Sequence, residues 1–261
     1  MYLLDELRTS SFLKISEIQE KFNVSPSTAR RMCLSLEKKG YAIRGIGGVQ
    51  YLTGNATPST DSLYRQFSDA NMASKSSIAQ FSSSMVKDSD IIFISGGTTT
   101  ALFSSSLAER LRGGELKNIV VATNSLKNAD ILGAVAEVIV TGGSFRAARG
   151  DLIGLLCEKT LQKTRFNKSF VGVDGIDIEN GLMTMDIETA RVDQIVLNNS
   201  SHTYILTDHS KFERNSFISY AHIHDNCTII TDSGLEQALV DQAEQCGVNL
   251  IVVGNDGGTE Q

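Results

Sequence analysis

The sequence predicts an α/β protein in which a small helical N-terminal module precedes a larger, doubly wound, mostly parallel sheet. Three helix-like segments and a pattern typical of a Gly-tipped hairpin fill the first 54 residues. From residue 91 onward, short apolar runs alternate with helical segments. Continuous apolar runs indicate parallel strands that helices cover on both faces, because neither side of such a strand meets water.

The charge is unevenly distributed along the 261 residues, which are enough for two domains. The whole chain carries −6, but residues 1–54 contain eight basic and five acidic side chains, so this part carries +3 and the remainder −9. A basic module joined to an acidic body indicates that only the module meets a polyanion. We therefore divide the chain into a DNA-binding domain over 1–54, a polar linker over 55–60 and a second domain over 61–261.

Targeting signals and metal-binding patterns are missing from the sequence. No apolar run is long enough to span a membrane, and the N-terminus does not resemble a signal peptide, so we expect a cytoplasmic protein with no membrane partner. The four cysteines are scattered without a C-x-x-C motif, and only two of the four histidines, His222 and His224, are close together. We expect neither a metal site nor a cofactor.

The third helix of the module has the pattern of a DNA recognition helix. Ser25 is the predicted N-cap and Pro26 the first helical residue, where the missing N–H of proline costs least. One face of the helix is apolar, while Ser, Thr and Arg side chains near its N-terminus lie on the other faces. Arginine can grip guanine in the major groove and hydroxyls can hold phosphates.

A predicted hairpin follows this helix. Two alternating runs, 41–44 and 49–52, are joined by Gly45-Ile46-Gly47-Gly48, which is typical of the wing of a winged helix-turn-helix. The alternative is a helical subdomain with a solvated basic face, but the order of these elements favours DNA binding. The predicted DNA contacts are Ser27, Thr28, Arg30, Arg31 and Arg44.

Polar and small residues follow the predicted strands of the second domain. The seven strands are expected at 91–94, 119–122, 138–140, 169–173, 203–206, 228–230 and 250–253. In an open parallel sheet, ligands bind beyond the carboxyl ends of the strands. The candidate binding residues in the loops after the later strands are Asn124, Arg146, Asp174, Asp177 and Lys211.

The turn after the first of these strands is the main candidate for a phosphate site. It consists of Ser95, Gly96, Gly97, Thr98, Thr99 and Thr100, and a helical segment follows it. Uncovered backbone N–H groups and the positive end of a helix dipole attract an anion. No lysine follows the glycines, as a triphosphate-binding loop requires, so we interpret the turn as a cradle for one phosphoryl group. The alternative is an ordinary tight turn, and the convergence of several polar loops favours the cradle.

A set of motifs in a fixed order extends over nearly the whole chain. These motifs are Thr28-Ala29-Arg30-Arg31, Leu36-Glu37, Gly40, Gly47-Gly48, Gly97-Thr98-Thr99, Thr123-Asn124-Ser125, Gly142-Gly143, Asp174-Gly175-Ile176, Gly181-Leu182, Glu188 with Ala190, and Asp208-His209-Ser210-Lys211-Phe212. In this order they resemble the DeoR family of bacterial transcriptional regulators. The resemblance implies a repressor of carbohydrate catabolism genes, controlled by a phosphorylated sugar and assembled as a homodimer or higher homo-oligomer.

The resemblance also raises an enzymatic alternative. The sensor domain of that family is similar in fold to ribose-5-phosphate isomerase and to glucosamine-6-phosphate deaminase. An isomerase-like or deaminase-like activity would use Asp174, Asp177 and Glu188 as its carboxylates. However, the isomerase's Lys-Gly-Gly-Gly stretch is missing near Gly181, and Ile176 stands where the deaminase has a histidine. Binding without turnover is therefore favoured, and we assign no catalytic residue.

Overall fold

The structure is a computed structural model that describes residues 3–10, 12–38, 41–45, 48–51, 71–212, 216, 218–224 and 226–254. The chain divides into two compact units, Met1–Tyr64 and Arg65–Gln261. The predicted boundary at residue 54 and the linker at 55–60 lie outside the described residues and remain predictions. Within the described ranges, no helix is both long enough and apolar enough to cross a membrane.

The N-terminal unit contains three helices and a three-stranded antiparallel sheet. Its elements are α1 (Leu3–Ser10), β1 (Phe12–Lys14), α2 (Ile15–Phe22), α3 (Pro26–Lys38), β2 (Ala42–Gly45) and β3 (Gly48–Tyr51). The strand order is β1-β3-β2, so the predicted hairpin is confirmed as β2 and β3. The sequence did not indicate β1, because three residues are too few to show an alternating pattern.

The helix α3 begins as the sequence predicts. The Ser25 Oγ accepts a hydrogen bond from the Thr28 N–H at 3.2 Å, which satisfies one of the free donors of the first turn. Ala29 and Cys33 are fully buried in a core that also contains Leu7 and Ile18. Burial of this face leaves the polar N-terminal part of α3 at the surface.

The larger unit contains a seven-stranded parallel sheet between two layers of helices. Its elements are α4 (Met72–Ser83), β4 (Ile91–Ile94), α5 (Thr98–Arg112), β5 (Val120–Thr123), α6 (Leu126–Leu132), β6 (Glu137–Val140), β7 (Ser144–Arg146), β8 (Asp151–Ile153), α7 (Leu155–Gln162), β9 (Phe166–Val171), β10 (Gly175–Asp177), β11 (Gly181–Thr184), α8 (Ile187–Asn199), β12 (Ser200–Leu206), a 3-10 turn (His209–Lys211), β13 (Ile218–Ala221), β14 (Cys227–Asp232), α9 (Gln237–Gln245) and β15 (Asn249–Val253). All seven predicted strands belong to this sheet, with ends that differ by a few residues.

The order of the strands determines where a ligand can bind. It is β15-β14-β12-β9-β4-β5-β6, and every neighbouring pair is parallel. The chain first runs outward from β4 through β5 to β6, then returns to β9 on the other side of β4. The crevice between the carboxyl ends of β4 and β9 is therefore the topological switch point of the sheet.

Each face of the sheet is covered by its own hydrophobic core. Ile92 and Ile94 of β4 pack with Phe103 of α5 on one face, where Ile78 of α4 joins them. Phe93 points to the other face and packs with residues of α7 and α8. The alternation along β4 follows from the two-residue period of a strand, and it confirms the doubly wound arrangement.

Two small antiparallel sheets extend the loops at the carboxyl edge. One is the hairpin β7-β8, and the other has the order β10-β11-β13. Arg146 and Asp177, which were expected in loops, belong instead to β7 and β10, so that expectation was wrong. Segments of three residues pair through tertiary contacts that a local pattern does not reveal.

Candidate functional site

The turn after β4 joins the carboxyl ends of three neighbouring strands. The Ser95 Oγ accepts a hydrogen bond from the Gly172 N–H at 3.2 Å, just beyond β9. The Gly96 N–H donates to Asn124 Oδ1 at 3.1 Å, just beyond β5. The turn Ser95–Thr100 is therefore held in place at the switch point from both sides.

The N-terminus of α5 presents donors that no described residue of the protein uses. Gly97 is the N-cap and provides no side-chain acceptor. The Thr100 Oγ1 donates to the Gly97 carbonyl at 3.1 Å, but the hydroxyls of Thr98 and Thr99 have no hydrogen-bond partner among the described residues. With the free N–H groups of this first turn, they form a group of neighbouring donors at a helix N-terminus, which suits an anion.

Asn124 is a supporting residue of this turn. It is 5% exposed, and both ends of its amide contact backbone groups. Besides accepting from Gly96, the side chain donates from Nδ2 to the Leu152 carbonyl at 3.2 Å. Leu152 returns a backbone hydrogen bond from its N–H to the Asn124 carbonyl at 2.7 Å. The structure thus uses the amide to fix Gly96 against β8.

Arg146 is the centre of an ion-pair network on the hairpin β7-β8. Its Nε and Nη2 donate to both oxygens of Asp151 at 2.8 and 2.6 Å, and its Nη1 donates to Asp186 Oδ1 at 2.8 Å. A further bond runs from Nη2 to the Thr189 Oγ1 at 3.0 Å. Burial alone would lower the pKa of Arg146, but the two carboxylates outweigh burial and raise it, so the guanidinium stays charged. The network ties the hairpin to the start of α8.

The network borders the phosphate candidate. A Cβ atom added to Gly96 would lie 3.2 Å from the Cβ of Asp151, so a larger residue there would crowd Asp151. Sequence reasoning missed Asp151 and Asp186. Asp186 had a detectable signal, because an Asp before the apolar helix at 187 is typical of an N-cap. Its Oδ1 indeed accepts from the Thr189 N–H at 2.8 Å.

Asp174 and Asp177 have different surroundings. Asp174 follows β9, and its Oδ2 accepts from the Thr184 Oγ1 at 2.8 Å and from the Met185 N–H at 3.0 Å. Asp177 lies at the other end of β10, where it accepts hydrogen bonds from Asn180 and from the Glu179 N–H. The bonds from Asn180 lower the pKa of Asp177 below its ordinary value. Asp177 thus holds the turn between β10 and β11.

The helix α8 carries two further acidic residues near this edge. Glu188, the third carboxylate of the enzymatic alternative, lies half-buried on the first turn. Asp193 is 3% exposed, and burial raises its pKa well above the ordinary value, although the nearby Arg149 acts in the opposite direction. The buried hydroxyl of Tyr220 has no hydrogen-bond partner within the described part of the chain. No sequence pattern singled out Asp193 or Tyr220.

Lys211 lies on the loop that follows β12. It is half-buried in the 3-10 turn, and the next residue, Phe212, forms a β-bridge with Ile176 of β10. The loops after β9 and β12 are therefore in contact. The neighbouring His209 donates its N–H to Asp232 Oδ1 at 2.8 Å, and its ring Nδ1 lies 2.7 Å from Asp232 Oδ2.

The DNA-binding candidates lie on α3 and on the hairpin. Ser27, Arg30 and Arg31 are exposed, and Thr28 is half-buried. The hydroxyls of Ser27 and Thr28 each lie 2.9 Å from the Ser25 Oγ, so they form one polar cluster at the N-terminus of α3. Arg44 belongs to β2, but its side chain and the tip of the hairpin at 46–47 lie outside the described residues.

Within the described residues, no three His, Cys, Asp or Glu side chains are arranged to hold a metal ion.

Comparison with known proteins places both units in one family. The family model described as the DeoR C terminal sensor domain matches residues 70–233, and the DeoR-like helix-turn-helix domain matches residues 2–55. The uncharacterized HTH-type transcriptional regulator FruR of Bacillus subtilis (strain 168) is 31% identical over 88% of this chain and 89% of its own. The lactose phosphotransferase system repressor of Lactococcus lactis subsp. lactis is 30% identical over 93% of each chain.

Among solved structures, a ribose-5-phosphate isomerase in complex with phospho-erythronic acid aligns with 53% of this chain and 52% of its own. The sequence identity is 19% and the TM-score is 0.41.

The pairing of Asp186 with Arg146 generates a prediction about pH. Burial raises the pKa of Asp186, but hydrogen bonds from Thr189 and Arg146 outweigh burial and lower it overall. A carboxyl whose pKa is lower in the folded state stabilises the fold above its unfolded pKa of about 4. This stabilisation is lost as the pH falls through the folded pKa.

The variant Asp186→Asn keeps an N-cap acceptor for Thr189 but removes the charge opposite Arg146. We expect it to lower the free energy of unfolding at pH 7 by about 1–2 kcal/mol. The difference from the wild type should shrink as the pH falls below about 4, the unfolded pKa of the carboxyl, as measured by urea unfolding across the pH range. The control is Asp130→Asn, which changes an exposed carboxylate on α6. An equal effect at every pH would contradict the assignment.

Proposed function

The chain belongs to the DeoR family of transcriptional regulators, and from this premise we propose that it is a repressor of carbohydrate catabolism genes whose operator binding is controlled by a phosphorylated sugar. The match to both domain models supports a DNA-binding unit joined to a sensor. The name of the lactose phosphotransferase system repressor supports the link to carbohydrate genes. Which sugar phosphate binds depends on the side chains that line this chain's own site.

One observation carries the sensor proposal: the uncapped N-terminus of α5 lies at the topological switch point. The free N–H groups and the hydroxyls of Thr98 and Thr99 hold the phosphate of the effector in this proposal. The helix dipole adds a partial positive charge at the same place. The ion pair with Arg146 supports this role, because it neutralises Asp151 next to the turn and so removes a repulsive charge.

The sugar part of the effector extends over the ends of β9 and β12 in this proposal. Both hydrogen bonds to the Asp174 carboxylate go to Oδ2. No described residue donates a hydrogen bond to Oδ1, so this oxygen can accept one from a sugar hydroxyl. Lys211 is the cation on the adjacent loop. Asn124 and Asp177 contribute indirectly, because their side chains fix the turns after β5 and β10.

Control of operator binding requires that the effector prefer one conformation of the protein. Each tenfold change in operator affinity corresponds to about 1.4 kcal/mol of coupling free energy between the two sites. The same coupling acts in reverse, so operator DNA changes the affinity for the effector by the same factor. A repressor of catabolic genes must release its operator when the sugar is available. In this proposal, the effector therefore weakens operator binding.

The DNA-binding surface is the exposed side of α3 together with the hairpin. Arg30 and Arg31 project from α3, and the hydroxyl cluster of Ser25, Ser27 and Thr28 suits a DNA phosphate at a helix N-terminus. A module of net charge +3 binds DNA weakly by itself. A homodimer or higher homo-oligomer that reads two half-sites compensates for this weakness.

The enzymatic alternative has little support. It requires Asp174, Asp177 and Glu188 to move protons between adjacent carbons of a sugar phosphate. Both oxygens of Asp177 are occupied by the backbone and side chain of its own turn.

We expect no product when the protein is incubated with ribose 5-phosphate or glucosamine 6-phosphate, as followed by NMR. Turnover of either compound would revive the enzymatic alternative.

The assignment of α3 to the major groove predicts the effect of Arg31→Ala. Loss of one base-contacting arginine costs about 1–3 kcal/mol, so affinity for a duplex selected from a random library should fall roughly 10-fold to 100-fold. Fluorescence anisotropy measures the affinity. The control Arg112→Ala removes the same charge from the exposed end of α5 in the other unit and should leave DNA binding unchanged. Equal affinities of wild type and Arg31→Ala would exclude a groove contact.

The phosphate cradle predicts the effect of replacing Thr98 and Thr99 with valine. The change keeps the side-chain shape but removes two hydroxyls, so binding of sugar phosphates should weaken about tenfold. A thermal-shift screen identifies the best sugar phosphate for the wild type by comparing each compound with its unphosphorylated form. The control Thr160→Val removes a hydroxyl that bonds only to the Leu156 carbonyl on α7. Unchanged affinity in the double variant would place the phosphate elsewhere.

A further inference from the structure

The start of α4 is held against a loop of the candidate effector site. α4 is the first described element after residues 52–70, the stretch that joins the winged helix to the sheet along the chain. Asn71, the N-cap of α4, donates from Nδ2 to Asp208 Oδ1 at 2.8 Å. This contact connects residues 137 positions apart in sequence.

A second contact lies one turn further along α4. The Ser74 hydroxyl bonds to the carboxylate of Asp232, at the end of β14. Burial raises the pKa of Asp232, but the hydrogen bonds from His209 and Ser74 outweigh burial and lower it. Asp208 is 1% exposed and Asp232 3%, so water does not compete for either carboxylate. A buried charged acceptor makes stronger hydrogen bonds than an exposed neutral one.

The same two carboxylates shape the loop that carries Lys211. Asp208 also accepts from the Ser210 N–H at 3.1 Å, while Asp232 holds both the backbone and the ring of His209. The ring of His209 packs directly against Gly234. A Cβ atom added to Gly234 would lie only 2.5 Å from the ring Nδ1 of His209, which is too close for a side chain. Closely packed segments in general switch between distinct arrangements more readily than they deform gradually.

We propose that the contacts of Asn71 with Asp208 and of Ser74 with Asp232 transmit effector binding to α4 and so control operator affinity. The proposal rests on the proposed function, since it assigns the regulation of that same site. A sugar phosphate that engages Lys211 biases the 207–212 loop toward one arrangement. Asp208 cannot leave its position without releasing Asn71, and Asp232 cannot turn without releasing Ser74. In this proposal Asn71 and Ser74 are positioning residues, because they act through the carboxylates of Asp208 and Asp232.

The test uses the full chain with Asn71→Gly, Ser74→Ala and the combination of both. Glycine suits position 71, because Asn71 has a left-handed backbone with φ of 56°. The control Ser84→Ala removes a hydroxyl that bonds only to the Phe81 carbonyl at the other end of α4. Operator affinity is measured by fluorescence anisotropy on the selected duplex, with and without the sugar phosphate that gives the largest thermal shift.

We expect that sugar phosphate to lower the operator affinity of the wild type and of Ser84→Ala by about tenfold or more, within the usual range of allosteric coupling. In the combined variant, the sugar phosphate should lower operator affinity by less than about threefold. The affinity of this variant for the sugar phosphate, measured by calorimetry, should stay within about twofold of the wild type. The single variants should show intermediate coupling. A purely structural role would instead lower the melting temperature and leave the ratio of operator affinities unchanged.

The outcomes separate this proposal from the proposed function. A full response in the combined variant, or in both single variants if the combination does not fold, overturns the route through α4 and leaves the sensor function standing. A wild-type chain that no sugar phosphate stabilises contradicts the proposed function and this proposal together. Loss of coupling in the Ser84→Ala control would also overturn the route, because that hydroxyl contacts neither carboxylate.

Discussion

The candidate site of the sheet domain depends on the hydrogen-bond donors at the start of α5 that no described residue uses. The strand order places these donors in the crevice between β4 and β9, where the loops of three strands meet. Backbone N–H groups in a crevice lose contact with bulk water and gain from an anionic partner. The glycines of the turn and the amide of Asn124 keep the donors pointed outward.

The loops around these donors are acidic, and Asp151, Asp174 and Asp208 are each ion-paired or hydrogen-bonded locally. Asp151 is paired with Arg146, and Asp208 accepts from Asn71 and Ser210. Asp174 accepts from Thr184 and the backbone of Met185. An uncompensated carboxylate this close to the crevice would repel a phosphate, because like charges at short range interact strongly away from bulk water. The acidic loops thus remain compatible with an anionic guest at α5.

The sequence revealed the elements whose signals are local. The apolar run at 91–94 and the Ser25-Pro26 start of α3 both appear in the structure as predicted. The short strands β7 and β10 were missed because their pairing depends on residues elsewhere in the chain. The direction of the Asn124 amide and the contact between Asn71 and Asp208 were equally inaccessible. Both depend on the three-dimensional placement of loops that are distant in sequence.

The segment Asp208-His209-Ser210-Lys211-Phe212 shows why a motif and its function need separate arguments. Asp208 caps the 3-10 turn and holds Asn71, His209 contacts Asp232, and Phe212 is buried beside Ile176. Most of the motif therefore determines the shape of the loop, and Lys211 is its one cationic candidate for ligand contact. Under the proposed function, a loop whose shape depends on contacts to α4 and β14 responds to a ligand at Lys211. The same residues that rigidify the loop thus connect it to the rest of the sheet domain.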